Sequence, residues 1–260
     1  MYTLAVDMGN SSLAVGIMND NGVAYASRIK TDRQKTEMHY LLQFRQILSE
    51  FKIDASDING SILSSVVPEL NFSVLQAMKW LTGKNVMMLG NDDVNPQLEI
   101  DITDPSSLGK DRIADCVGAI ENYPAPMMII DMGTATTVNI INDEKKYIGG
   151  MIIPGVKISL NALSKSASQL PRVPIEAPRS IVGRNTTECM KSGVIYGFAS
   201  MIDGLIDRMS DELGFKPTVV ITGGNSRFII PYCKHEFIYD EFLLLKGMYY
   251  IYKRNQAENN

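Results

Sequence analysis

Two short segments of the chain place a carboxylate, a glycine and polar side chains directly after an apolar run. The first is Asp7-Met8-Gly9-Asn10-Ser11, which follows Tyr2-Thr3-Leu4-Ala5-Val6. The second is Asp131-Met132-Gly133-Thr134-Ala135-Thr136-Thr137, which follows Met127-Met128-Ile129-Ile130. Such a turn offers backbone N–H groups and hydroxyls to a phosphate, and its carboxylate can hold a hydrated cation. One copy is common turn chemistry, but two copies half a chain apart predict a duplicated fold that binds a nucleotide's phosphates from both sides.

A third acidic residue, Asp111, lies in the segment Gly109-Lys110-Asp111-Arg112. It follows a long polar stretch, residues 90–108, which Pro96 and Pro105 interrupt. Loops of this length are usually functional or disordered. Aspartate at the start of a helix is an ordinary capping residue. It could equally be a base that orients and deprotonates a substrate hydroxyl, and the spacing alone leaves both interpretations open.

Glycines mark two further candidate ligand contacts. Gly149-Gly150 and Pro154-Gly155 bracket a short apolar segment, where either a ligand or hairpin geometry could require glycine. Thr222-Gly223-Gly224 follows an apolar run and suits contact with the adenosine end of a nucleotide. The sequence has no Gly-x-x-x-x-Gly-Lys-Ser/Thr and no Gly-x-Gly-x-x-Gly motif, which argues against Walker-type and dinucleotide-binding folds.

The elements that must position these residues occur in the same order twice. Hydrophobic periodicity and turn residues predict, in the first half, strands at 2–7, 12–18, 23–30, 62–67 and 86–89 and helices at 36–51, 70–82 and 110–122. The second half gives strands at 127–131, 136–142, 146–153 and 219–221 and helices at 156–167, 187–213 and the C-terminus. A repeated βββαβαβ order predicts an α/β fold of two ribonuclease H-like lobes, the actin/hexokinase/Hsp70 architecture. We divide the lobes at residues 1–118 and 119–254.

The amino-acid composition limits the classes of binding partner and the cellular location that we expect. The net charge of −4 over 260 residues argues against nucleic acid or an anionic membrane as the main partner. The sequence shows no apolar run of 18 residues and no recognisable N-terminal signal, so we expect a cytosolic protein. Cys116, Cys189 and Cys233 lack Cys-x-x-Cys spacing, and we expect reduced core thiols.

In order and spacing, these segments resemble type III pantothenate kinases over nearly the whole chain. Leu170-Pro171-Arg172-Val173 and Gly183-Arg184-Asn185-Thr186 fit the same pattern. The resemblance implies an enzyme that uses ATP to phosphorylate the primary hydroxyl of pantothenate, giving 4'-phosphopantothenate in the first step toward coenzyme A. It also implies Mg²⁺, a monovalent cation (K⁺ or NH₄⁺) and a homodimer in which the long helix at 187–213 takes part.

The same resemblance implies roles for individual residues. Asp111 would be the catalytic aspartate, Asp131 would be tied to the monovalent cation, and Asp7 would hold Mg²⁺ through water. The nucleotide would contact Asp7, Gly9, Asn10, Ser11, Gly133, Thr134, Thr137, Gly223 and Gly224. Pantothenate would contact Gly109, Lys110, Arg112, Ile100 and Thr186, the last from the neighbouring subunit.

Departures from the family pattern lie on the substrate side. Ile100 stands where the family usually has an aromatic residue, Asp104-Pro105 replaces Asn-Pro, and Lys110 replaces a small residue. Two alternatives therefore stay open. One is a related phosphotransferase or phosphatase that acts on another small hydroxy acid or sugar. The other is a nucleotide-binding regulator without turnover, against which the acidic residue Asp111 argues, since a non-enzyme has little use for a proton acceptor.

Overall fold

The computed structural model describes residues 1–258, which form two compact units. The first contains Met1–Leu98, Thr103–Asn122 and the C-terminal segment from Phe242. The second contains Glu99–Ile102 and Tyr123–Glu241. The C-terminal helix thus belongs to the first unit, although it is far from that unit in sequence. The division into functional lobes at residue 118 stays a prediction.

Each unit is built on one five-stranded sheet. The strands are β1 (Tyr2–Met8), β2 (Ser12–Asn19), β3 (Gly22–Lys30), β4 (Ile58–Ser65), β5 (Val86–Met88), β6 (Met127–Met132), β7 (Ala135–Ile141), β8 (Tyr147–Pro154), β9 (Thr218–Thr222) and β10 (Ile238–Tyr239). The helices are α1 (Glu37–Glu50), α2 (Pro68–Thr82), α3 (Lys110–Asn122), α4 (Val156–Ser166), α5 (Thr186–Leu213), α6 (Ser226–Ile229) and α7 (Leu243–Glu258).

The two sheets have the same topology. Strand order is β3-β2-β1-β4-β5 in the first unit and, in matching sense, β8-β7-β6-β9-β10 in the second. In each, the first three strands pair antiparallel, and the fourth pairs parallel with the first. This repetition confirms the predicted α/β fold of duplicated ribonuclease H-like lobes.

The alternation of side chains along β1 determines which face of the sheet carries Asp7. Leu4, Val6 and Met8 are buried in a core with the apolar stripes of α1 and α2. The intervening residues, Ala5 and Asp7 among them, point to the opposite face of the sheet, since successive side chains of a strand alternate. Helix α7 packs against β1, β2 and β4, and α3 packs against α7.

The side chains of β6 in the second unit alternate in the same way. Met128, Ile130 and Met132 of β6 are buried in a core with α4 and α5, to which α5 contributes Ile195 and Ile202 among others. Asp131 therefore lies on the other face of its sheet, as Asp7 does in the first unit. The long helix α5 begins at an Asn185 cap, whose side chain accepts a hydrogen bond from the Glu188 backbone N–H at 2.9 Å.

The predicted bounds of β4 were wrong by several residues. The strand begins at Ile58 rather than at residue 62, because Ile58, Gly60 and Ser61 pair with β1, with Asn59 at an irregularity in the register. Gly60 lies against Tyr252 of α7, where a larger residue would collide with the tyrosine ring. The short elements α6 and β10 were also not predicted. None of the helices within residues 1–258 is long and apolar enough to cross a membrane.

Candidate active site

The first glycine-rich turn, residues 7–12, is here called loop 1. Its carboxylate comes from Asp7 near the end of β1, in register with Ser64 on the parallel neighbour β4. The Ser64 hydroxyl donates a hydrogen bond of 2.9 Å to Asp7 Oδ1. A hydroxyl donor at this distance fixes the orientation of the carboxylate. Asp7 is thus a prearranged acceptor, suited to the water shell of a hydrated cation.

The carbonyl groups of loop 1 accept hydrogen bonds from the protein itself. Thr31, just after β3, donates its hydroxyl to the Gly9 carbonyl at 2.6 Å and its backbone N–H to the Ser11 carbonyl at 3.2 Å. The Val66 N–H donates to the Met8 carbonyl at 3.0 Å. Together with the bond from the Gly9 N–H to the Ser12 carbonyl at 3.1 Å, these contacts fix the backbone of loop 1.

Asp111 lies in the first turn of α3, as predicted from the sequence. The helix starts with a bond from the Ile113 N–H to the Gly109 carbonyl, at 3.0 Å. Asp111 Oδ1 accepts the backbone N–H of Arg112 at 2.8 Å. A Cβ on Gly109 would lie 2.6 Å from Asp111 Oδ1, so only glycine leaves the carboxylate where it is. The neighbouring Lys110 extends over Gly90.

The second turn, residues 131–135, is here called loop 2. Asp131 on β6 lies between two threonines, opposite Thr137 on β7 and Thr222 on β9. Directly opposed residues have neighbouring side chains on one face of a sheet. Thr137 Oγ1 is buried and has no hydrogen-bond partner among the described residues. One carboxylate beside hydroxyl oxygens is a donor set that suits a hard cation such as K⁺ or Mg²⁺.

Loop 2 is held mainly by the segment that follows β9. The backbone N–H of Asn225 donates to the Met132 carbonyl at 3.1 Å, and its side-chain amide donates to the Gly133 carbonyl at 2.8 Å. Gly223 has a φ of +91°, and a Cβ there would overlap the Asp131 carboxylate. The predicted adenosine motif therefore packs directly on the predicted phosphate loop; Gly224 follows in the turn that enters α6.

The end of β8 closes on the other side of loop 2. A Cβ on Gly155 would overlap the carbonyl oxygen of Thr134, so the two backbones are in direct contact. This answers the question left open by the sequence at Pro154-Gly155: glycine is required by packing against loop 2. Gly149, farther back on β8, has a φ of +137° and open space around it, which fits a purely conformational role.

Thr186, the first residue of α5, lines an apolar groove of about 640 Å³ within the second unit. The groove is bordered by the end of β8, by α4 and by the first turns of α5. Its lining residues are Ile153, Pro154, Ser159, Leu163, Leu170, Thr186, Cys189, Met190, Gly193, Val194, Gly197, Phe198 and Met201. Since Pro154 precedes Gly155, the groove adjoins the segment that packs on loop 2.

Ile100 belongs to a short strand-like segment of the second unit. It forms an isolated bridge with Tyr147 at the start of β8. The Tyr147 N–H donates to the Glu99 carbonyl at 2.9 Å, and the Asp101 N–H donates to the Tyr147 carbonyl at 2.8 Å. Gly109, Lys110, Asp111 and Arg112 lie in the first unit. The role of Ile100 in substrate binding stays a prediction.

One expectation about the cysteines was wrong. Only Cys116 is fully buried, and desolvation raises the pKa of its thiol well above the usual value. Cys233 is half-buried, and burial raises its pKa to about 11. Cys189, in the first turns of α5, is exposed and lines the apolar groove. Across residues 1–258, no cluster of three or more His, Cys, Asp or Glu side chains could hold a metal ion by direct ligation.

Comparison with known proteins gives the family. A family model described as type III pantothenate kinase matches residues 3–208. A type III pantothenate kinase of Halalkalibacterium halodurans is 39% identical over 252 residues, covering 97% of this chain and 99% of the relative. That of Bacillus cytotoxicus is 38% identical over 250 residues, covering 96% and 95%. The chain belongs to the type III pantothenate kinase family.

The fold of this pantothenate kinase family member also matches solved structures of distant proteins. MreB 5 of Spiroplasma citri, solved with AMPPNP, aligns with a TM-score of 0.54 at 12% identity, covering 99% of this chain and 97% of the other. At this identity the likeness concerns the fold alone. It agrees with the actin/hexokinase/Hsp70 architecture derived from the two sheets.

Several contributors to the kinase's two loops were not singled out from the sequence. They are Thr31 and Ser64 around loop 1 and Asn225 beside loop 2. Thr31 is the first of several polar residues directly after β3, and this position could have marked it as a candidate contact of loop 1. No comparable local signal marks Ser64 or Asn225, whose contacts depend on strand register and on the crossovers between strands.

Proposed function

We propose that this chain transfers the γ-phosphoryl group of ATP to the primary hydroxyl of pantothenate, giving 4'-phosphopantothenate and ADP in the first step of coenzyme A biosynthesis. Membership of the type III pantothenate kinase family supports this activity. The observation that carries the mechanism is the carboxylate of Asp111, oriented at the start of α3 by the Arg112 N–H and by the space that Gly109 leaves.

In the proposed mechanism, Asp111 accepts the hydrogen of the substrate hydroxyl. As the hydroxyl oxygen bonds to the γ-phosphorus, the bond between that phosphorus and the β–γ bridging oxygen breaks, ADP leaves, and the proton passes to Asp111. Arg112 pairs with the carboxylate of pantothenate, for which a guanidinium is the best-matched partner. Gly109 and Lys110 complete this side of the substrate site, together with Ile100.

The nucleotide's phosphates are assigned to the two loops. Loop 1 contributes Asp7, Gly9, Asn10 and Ser11, and the hydrogen bonds that fix its backbone support this role. Loop 2 contributes Gly133 and Thr134, Thr137 of β7 contributes from the strand that follows it, and Gly223 and Gly224 belong to the adenosine end. This assignment is supported by the same backbone pattern in both units.

The donor sets fit the two implied cations in different ways. Asp7 offers one carboxylate, already bonded to Ser64, so it would hold Mg²⁺ through water, a common arrangement for this ion. Asp131 lies beside Thr137 and Thr222, an oxygen-rich set compatible with a weakly hydrated monovalent cation, K⁺ or NH₄⁺. When bound, these ions would neutralise phosphate charge during transfer.

We further infer a homodimer. The apolar groove that Thr186 lines includes two glycines of α5, Gly193 and Gly197, which leave room for close approach of another chain. The same unit exposes further apolar side chains, namely Ile152, Ile158, Ile181 and Val182, and Leu163 of the groove is exposed as well. Thr186 would then serve the substrate site of the neighbouring subunit. The three unpaired cysteines fit a reducing, cytosolic location.

The experiment that tests the activity measures ADP release by the purified protein with ATP, Mg²⁺ and K⁺, with and without pantothenate. We expect release to depend strongly on pantothenate. No stimulation in either K⁺ or NH₄⁺ would contradict the proposal and favour another hydroxy acid or sugar as acceptor. Light scattering of the same preparation should give the mass of a dimer, and Gly197→Trp should shift it toward the monomer.

A further inference from the structure

An arginine outside the predicted site contacts loop 1. Arg33 lies in the turn between β3 and α1, two residues after Thr31. Its Nη2 donates to Oδ1 of Asn10 at 3.3 Å, and its Nε donates to Oε1 of Glu69 at 2.7 Å. Glu69 belongs to the first turn of α2. The guanidinium therefore joins the side chain of a loop 1 residue to the start of a helix in the same unit.

Glu69 is suited to hold Arg33 in this position. The pKa of its carboxyl is lowered, first by its own backbone N–H at the start of α2 and then by the hydrogen bond from Arg33. The carboxylate therefore stays ionised at neutral pH. A carboxylate in the first turn is also favoured by the positive end of the helix dipole.

The contact with Arg33 decides which way the carboxamide of Asn10 points. A guanidinium has only N–H donors, so the group of Asn10 that faces it must be the oxygen. The NH₂ group then occupies the other end of the carboxamide. Phosphate oxygens accept hydrogen bonds and cannot donate them when fully ionised, so an NH₂ group is what nucleotide binding at loop 1 requires of Asn10.

We propose that Arg33 is a positioning residue for nucleotide binding, which turns the carboxamide of Asn10 so that its NH₂ group donates to the phosphates. This inference rests on the proposed assignment of Asn10 to the phosphate-binding loop. Arg33 acts through Asn10 and needs no contact of its own with the nucleotide. Both residues are exposed, so the contact is adjustable rather than part of the core.

The test is direct titration of the full-length protein with ADP and with AMPPNP in the presence of Mg²⁺, which requires neither pantothenate nor turnover. Arg33→Met removes the donor and should weaken nucleotide binding about threefold to tenfold, the effect of losing one hydrogen bond. Arg33→Lys, which can only donate, should restore most of the affinity. Arg45→Met, on the exposed face of α1, is the matched control and should bind like the wild type.

A double-mutant cycle separates positioning from direct attraction by charge. If Arg33 acts through Asn10, the double variant Arg33→Met/Asn10→Ala should bind no more weakly than Asn10→Ala alone. Multiplying effects would overturn the proposal, because they would mean that Arg33 attracts the phosphates independently. Unchanged binding in Arg33→Met would also overturn it. A wild type that binds nucleotide but ignores pantothenate would refute the proposed function and leave this titration fully informative.

Discussion

Loops 1 and 2 have the same backbone frame and different means of fixing it. In each, the carbonyl of the methionine after the aspartate accepts an N–H from the segment that follows the parallel neighbour strand, Val66 for Met8 and Asn225 for Met132. Loop 1 is then fixed by single hydrogen bonds from the side chains of Thr31 and Ser64. Loop 2 has one such side-chain bond, from the Asn225 amide to the Gly133 carbonyl, and is fixed in addition by close contacts of Gly155 and Gly223 at which only glycine fits.

This difference indicates how each loop tolerates change. Hydrogen bonds of loop 1 can be lost one at a time, each at a modest free-energy cost. The glycine contacts of loop 2 are steric, so any side chain displaces the loop or the segment packed on it. Interiors resist even small overlaps, because they are close-packed. We therefore expect graded effects of substitutions that remove single hydrogen bonds around loop 1, and much larger effects of substitutions at the glycines that pack on loop 2.

The largest effect is expected for Gly223→Ala. Alanine at a φ of +91° is strained, and its Cβ would overlap the Asp131 carboxylate. A displacement near 1 Å at a catalytic site can cost about 100-fold, and we expect a loss of kcat/KM of at least about that size. Gly83→Ala, at the exposed C-terminal end of α2 with a φ of +67° and open space around it, is the control for backbone strain without overlap and should leave activity intact. Near-normal activity of Gly223→Ala would show that loop 2 is as adaptable as loop 1.

An intermediate effect is expected for Ser64→Ala. This change removes the hydroxyl donor to Asp7, and a hydrogen bond to a charged group is worth roughly 1.5–3 kcal/mol. Activity should fall about tenfold or more, with a higher Mg²⁺ concentration needed for half-maximal rate. Ser61→Ala, in the same strand, is a matched control, because the buried Ser61 hydroxyl has no hydrogen-bond partner within the described part of the chain. Equal effects of the two changes would rule out a special role for Ser64.

The smallest effect is expected for Thr31→Val. The backbone bond to Ser11 is kept, while the hydroxyl loses its bond to the Gly9 carbonyl and its weak contact with Met8 Sδ. A loss of about 0.5–1.5 kcal/mol corresponds to a rise in KM for ATP of roughly twofold to tenfold. The KM for pantothenate should not change. Steady-state kinetics with each substrate varied in turn checks this, and a change confined to the pantothenate KM would contradict the assignment of loop 1 to the nucleotide.

The fold could be predicted from the sequence because the patterns that indicate it lie within short segments of the chain. Apolar runs, turn residues and helical stripes repeat twice, and both acidic turns follow directly on their strands. The side-chain partners of the loops could not be predicted in the same way. Ser64 is 57 residues from Asp7, and Asn225 is 92 residues from Gly133, so their contacts depend on strand register and crossover geometry. The polar start of β4 was likewise missed, since its sequence resembles a loop.

The most direct test of the account compares Asp111→Asn with the wild type in two assays on the same preparation. Pantothenate-dependent ADP release should fall by roughly 100-fold to 10,000-fold, the usual contribution of a general base. Titration with ADP and Mg²⁺ should give nearly unchanged affinity, because Asp111 is assigned to the substrate hydroxyl and the nucleotide to the two loops. Undiminished turnover in Asp111→Asn would contradict the central claim that this carboxylate accepts the proton.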